Sequence, residues 1–198
     1  MAKKTDEYIR TSFEFMIIGN LSSCSCIIAN QDLGEFRFLS ALVFSHDALV
    51  NLLTRILAKD PEKLHLKKKH RDEAISRAKK AIEDKSSEVI GRDYSYELTS
   101  IAPFSDINSL DFLLSNFYTS HGELQKKIPE DNWKELKKIR DELVHYRDFG
   151  SIMRSKVFMM IESATSMILE IMYLNYHFDE SIKRKIETLI LEIRSYLQ

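Results

Sequence analysis

Residues 34–58 read GEFRFLSALVFSHDALVNLLTRILA. Phe38, Leu42, Leu49, Leu52, Leu53, Ile56 and Leu57 recur at the three- and four-residue steps that collect apolar side chains on one face of an α-helix. The run is far longer than a β-strand, which usually spans about 3–10 residues, and Asp60-Pro61 stops it. A long amphipathic helix of this kind buries its stripe only against other elements, so the rest of the chain must supply them. His46 and Asp47 interrupt the apolar pattern at its centre. The plainer reading of His46 is a structural histidine whose hydrogen bonds are met inside the fold.

Reading toward the N-terminus, Ile9, Phe13, Met16, Ile17 and Leu21 predict a helix over residues 6–30. Gly19-Asn20 and the small residues 22–25 leave a break or a short strand open there. Reading toward the C-terminus, residues 63–71 are basic and predict a loop or a solvated helix start, with RNA contact as the other reading. Residues 72–90 carry a weaker stripe, Ile75, Ala78, Ile82 and Val89, and residues 92–104 a long connection. Ser105 or Asp106 can cap a helix through Leu110, Leu113, Leu114 and Phe117, which His121-Gly122 ends. A further helix starts near Pro129-Glu130-Asp131 and runs through Trp133, Leu136, Ile139 and Leu143. Ser151 is the expected cap of an apolar helix ending near Tyr176. Asp179 is the expected cap of a last helix striped by Ile182, Ile186, Leu189, Ile190, Ile193 and Leu197.

Composition agrees with helices. Five Gly and three Pro in 198 residues provide too few turns for a many-stranded sheet protein. The expectation is one all-α domain over residues 1–198: a core of about 34–176, an N-terminal extension 1–33 and a C-terminal helix 177–198. The net charge of −1 excludes a global field drawing the chain to nucleic acid or membrane, so any anion site must be local. Cys24 and Cys26 are expected to be free thiols in a reducing cytoplasm. The apolar residues 157–176 include Glu162 and Glu170 and predict a bundle helix rather than a membrane span, and the N-terminus does not read as a signal peptide. His65, His70, His121 and His177 show no metal-ligand spacing, and no phosphate loop or nucleophile elbow is present, so no metal or other cofactor is expected. Phe13, Phe36, Phe38, Phe44, Phe112, Phe117 and Phe158 are expected in the core rather than on a base-stacking platform.

Residues 137–147, KKIRDELVHYR, concentrate the chemistry. Ile139 and Leu143 face the core, which leaves the polar residues on the other faces. Asp141 and His145 are one turn apart and can pair, so the carboxylate can orient and charge the imidazole. Arg140 offers a fork of donors for a phosphate or developing oxyanion, and His145 a proton-transfer group near neutral pH. Arg140 and His145 are five residues apart, about 140° around an ideal helix. They converge only if Arg140 reaches around, if the helix bends, or if two copies bring their residues together. The competing reading is a solvated charged face with an ordinary ion pair.

Arg140-Asp141-Glu142-Leu143-Val144-His145, with Ile139 before it, resembles the arginine-to-histidine signature of the HEPN domains. The likeness extends over about residues 34–176 and is specific around 136–148. It implies an up-and-down helical bundle of the HEPN type with added N- and C-terminal helices. It also implies a metal-independent endoribonuclease: the ribose 2′-hydroxyl attacks the neighbouring phosphate to leave a 2′,3′-cyclic phosphate and a 5′-hydroxyl. The implied catalytic residues are Arg140, Asp141 and His145, with Lys134, Lys137, Lys138 and Arg147 as RNA-contact residues. In such families two motifs meet across a dimer, and this chain has one, so the implied partners are RNA, a second copy and, in a toxin–antitoxin or phage-defence setting, an antitoxin protein. A polar residue on the first long helix, here His46-Asp47, would support the cleft. Two departures stand out: Tyr146 directly follows His145 where toxin-type members often place tyrosine one residue later, here Arg147, and Asp141 replaces the commoner asparagine. The rival readings are a non-catalytic HEPN-like module that binds RNA, nucleotide or protein, and a helical interaction protein.

Overall fold

Phe36–Leu57 forms one unbroken helix, as its spacing predicts, and every other regular element among the described residues is helical too. The computed structural model describes residues 13–57, 110–125, 130–144, 151–174 and 178–198, with Asp72 and Ser76. In chain order the elements are α1 (Phe13–Ala29), a 3-10 turn (Gln31–Leu33), α2 (Phe36–Leu57), α3 (Leu110–Tyr118), α4 (Gly122–Gln125), α5 (Glu130–Val144), α6 (Arg154–Tyr173) and α7 (Glu180–Ser195). The expectations for residues 63–71, 92–104 and most of 72–90 lie outside the described residues, as does the expected burial of the Trp133 side chain.

The central element is α2, which packs against α1, α6, α3 and α5. Leu42, Leu49, Leu52 and Leu53 have no exposed surface, and each such side chain withdrawn from water stabilises the fold by about 1.5–3 kcal/mol. By length and composition α2 is the one described helix apolar enough to cross a membrane. It also carries buried Ser45, His46, Asn51 and Thr54.

α1 is continuous through Gly19 and the serines, so the break or strand left open there does not occur. Small residues let α1 lie close to its neighbours. The Cys24 thiol donates to the Ala41 carbonyl at 3.4 Å, and Ser25 donates to Glu192 on α7 at 3.1 Å. Burial pushes the Cys24 thiol up to about 12, which keeps it protonated and unreactive. Ile17, Leu21 and Ile28 from α1 and Ile186, Ile190 and Ile193 from α7 belong to the same apolar cluster as the intervening helices.

Three local expectations need correction. The cap of α6 is Met153, not Ser151, and it makes no side-chain capping bond. That helix ends at Tyr173, where the Leu174 amide folds back onto the Ile171 carbonyl. Phe36 and Phe112 are exposed, unlike the buried Phe38 and Phe117, because each lies on the outward side of its helix. By contrast Asp179 caps α7 as expected, accepting from the Ser181 amide at 2.7 Å.

Candidate functional site

Nine of the fifteen residues of α5 are charged, so the helix can bury only a narrow stripe. Leu136 and Ile139 supply it, with Leu143 packed at its edge. Arg140 follows Ile139 by one residue, about 100° around the axis, and therefore leaves the stripe on the flank that meets α2. Its side chain is 28% exposed. Nη1 donates to the Asp141 carboxylate at 3.1 Å. Nε lies 3.6 Å from Asp47 Oδ1 on α2, close enough for charge attraction and too far for a hydrogen bond.

The same Asp47 oxygen is 2.9 Å from His46 Nδ1. A carboxylate can only accept, so the proton of this bond belongs on Nδ1. In the neutral ring Nε2 is then an acceptor, and it is buried without a hydrogen-bond partner among the described residues. His46 is thus half satisfied: the expected structural histidine has one nitrogen tied to Asp47 and the other unmet. The row His46, Asp47, Arg140, Asp141 links the centre of α2 to the signature helix.

Charge bookkeeping qualifies what this row can do. One guanidinium between two carboxylates leaves the cluster one negative charge in excess when His46 is neutral. One edge of the Arg140 fork is hydrogen-bonded to Asp141 and Asp47 attracts it from 3.6 Å, so a phosphate must compete with both carboxylates for it. The lysines lie among acids as well. Lys137 pairs with Asp111 of α3 at 2.9 Å, and a recess of about 330 Å³ beside α5 is lined by Lys134, Lys137 and Lys138 together with Asp111, Asp141 and Glu142. A second recess of about 220 Å³, on the other side of Lys138 and Glu142, reaches Ile152, Met153 and Lys156 at the start of α6. Lys156 is itself ion-paired with Glu135.

Of the expected site residues, the structure brings Arg140 and Asp141 into contact and sets Lys134, Lys137 and Lys138 on the same helix beside them. The carboxylate of Asp141 holds Arg140, in addition to whatever it offers the residue one turn on. His145, Arg147 and Tyr146 lie outside the described residues. Asp47 and Asp111 were not singled out by sequence as partners of Arg140 and Lys137. The polar break at His46-Asp47, which the resemblance already set beside the cleft, was a visible signal for the first, whereas no spacing rule joins residue 47 to residue 140. No family model, curated protein or solved structure matches this chain.

Proposed function

We propose that the protein is a metal-independent endoribonuclease of the HEPN type, working in the cytoplasm in a toxin–antitoxin or phage-defence setting with an antitoxin as natural partner. The observation that carries the reading is Arg140, partly exposed on α5 beside Asp141 and Asp47, within the hexapeptide that resembles the HEPN signature. Arg140 neutralises the scissile phosphate as the 2′-hydroxyl attacks. His145 takes up the hydroxyl proton or returns one to the leaving 5′-oxygen. Asp141 orients Arg140 and His145, and Asp47 braces Arg140 from α2. Backbone contacts fall to Lys134, Lys137, Lys138 and Arg147, and Lys137 must leave its pair with Asp111 to make one. Because one chain carries one signature, the complete site belongs to a homodimer.

A non-catalytic HEPN-like module is the second reading, and the carboxylates on both sides of Arg140 favour it by opposing an incoming phosphate. Incubation of the chain with total RNA in EDTA separates the two. Cleavage that leaves cyclic-phosphate ends, and that disappears in both Arg140→Ala and His145→Ala, is the expected result. Identical behaviour of parent and both variants removes the nuclease.

A further inference from the structure

We propose that the adjoining starts of α2 and α6 form a second contact site for single-stranded RNA, with a base stacked on Phe36 and the phosphates of the strand held by Arg37 and Arg154. The choice of RNA among phosphate-bearing ligands rests on the nuclease reading, which it deepens; the side chains themselves lie away from the signature helix.

Phe38 is buried in the first turn of α2, and its ring meets the Phe158 ring of α6 edge-on, with centroids 4.7 Å apart. Two guanidinium groups lie against that same Phe38 ring. The Cζ atoms of Arg37 and Arg154 are each 4.6 Å from its centroid, so the two cations stand no farther apart than twice that distance. Arg154 is also 4.9 Å from the Phe158 centroid. A guanidinium stacked in this way is positioned before any ligand arrives, and its edge N–H groups remain available to a phosphate.

The pair is short of negative charge. Arg37 has no ion-pair partner among the described residues, and its Nε is buried without an acceptor. Arg154 pairs with Glu35 alone among them, a largely exposed side chain 3.6 Å from Nη1 and too far for a hydrogen bond. Two cations with one loosely held acid are the reverse of the Arg140 row, where two carboxylates flank one cation. The first turn of α6 adds amides free for an anion, since its cap Met153 offers them no side-chain acceptor. Phe36 precedes Arg37 by one residue, about 100° around the axis, and is 61% exposed. A nucleobase laid on it withdraws apolar surface from water on both partners. A single strand offers base faces and phosphates together, whereas a duplex hides the base faces.

The site is joined to the signature helix. The recess of about 220 Å³ lined by Lys138 of α5 reaches Met153, which directly precedes Arg154. Lys138 also lines the recess on the other flank of α5, together with the Asp141 that holds Arg140. A strand whose scissile phosphate lies at Arg140 crosses the outer face of α5 at Lys138 and follows the recess to Arg154.

Fluorescence anisotropy across a salt series tests this with a labelled single strand of about ten nucleotides, 2′-O-methylated so that no 2′-hydroxyl can attack. Arg37→Gln and Arg154→Gln keep a stem over Phe38 and remove the charge, and circular dichroism establishes that each variant is folded. Each is expected to weaken binding about fivefold at low salt and to lower the slope of log affinity against log salt by about 0.7, the share of one single-strand phosphate. Phe36→Ala is expected to weaken binding about fivefold with the slope unchanged, because stacking releases no counterions. A parent that does not bind at about 0.1 mM, the weak limit of nonspecific binding, overturns the proposal. So does an affinity that none of the three substitutions moves, which leaves Phe36 and Met153 to a protein partner. Equal binding of a duplex of the same length overturns it as well, because Phe36 then meets no base. Binding that depends on Arg140 and ignores Arg37 and Arg154 removes this site and leaves the nuclease. Binding that needs Arg37, Arg154 and Phe36, in a protein that never cleaves unmodified RNA, keeps the site and removes the nuclease.

Discussion

α1 and α5 are nearly the same length and opposite in kind. The seventeen residues of α1 include a single charge, Glu14, whereas the fifteen of α5 include nine. α1 is held by close packing on α2 and α7, through Ile17, Leu21, Cys24 and Ile28. α5 touches the core through Leu136, Ile139 and the edge of Leu143, and spends its remaining surface on ion pairs. The protein thus separates stability from display. One side is a packed scaffold, and the other presents a charged helix that contributes little to the core and much to whatever the protein meets.

If the division is real, deleting apolar groups must cost far more on the scaffold side. Leu49→Ala at the centre of α2 removes a side chain with no exposed surface and should cost about 2–5 kcal/mol. Leu191→Ala, 65% exposed on α7, should stay within about 0.5 kcal/mol. Chemical denaturation of the two variants measures both, and equal midpoints would refute the division. The one charge of α1 ranks next. Glu14 pairs with Arg55 of α2, whose guanidinium also stacks 4.3 Å above the Phe178 ring. Glu14→Ala removes one charged acceptor of that partly buried cation and should cost about 1.5–3 kcal/mol. A loss no larger than that of an exposed surface pair would show that packing alone fixes α1.

On the charged side the informative change is one of sign. Asp47→Asn removes one of the two carboxylates competing for Arg140 and cancels the negative excess of the row. Binding of a single-stranded RNA oligonucleotide should tighten several-fold at low salt, about 1 kcal/mol, and the gain should shrink as salt screens it. Weaker binding would mean that Asp47 chiefly positions Arg140, and that its brace outweighs its competition.

These two sides were unequally legible in the sequence. Scaffold helices announce themselves by period: the stripe of α2, the isoleucines of α7 and the Asp179 cap follow from spacing and cap chemistry that act within one turn. α1 was harder, because Gly19 and its serines look like a break to any rule based on local propensity. The helix instead continues because its other face packs, as in the close contact of Cys24 with Ala41, a tertiary gain that local rules cannot weigh. In the site, Arg140 and Asp141 could be named from one hexapeptide. Asp47 could not be tied to them, since 93 positions of chain separate it from Arg140 and only the fold closes that distance. The same holds for Asp111 and Lys137.

The smallest effect concerns how the scaffold is fastened at its last helix. Asp179 accepts from the Ser181 amide and hydroxyl, and these bonds hold its carboxyl below the usual aspartate value. A group whose pKa is lower folded than unfolded contributes stability that is complete above the unfolded value and is lost as pH falls through the folded one. Acidification below the ordinary aspartate range should therefore loosen the first turn of α7 before it disturbs α2. Amide exchange at Ser181 and Ile182, followed from neutral pH into acid, reads this directly. Asp179→Asn keeps an acceptor at the cap and removes the titration, so it should exchange at a rate independent of pH in that window once intrinsic chemistry is corrected. An unchanged acid response in Asp179→Asn would place the sensitivity elsewhere, with the ion pairs of α5 the first place to look, and would make the charged side, rather than the cap, what limits the fold in acid.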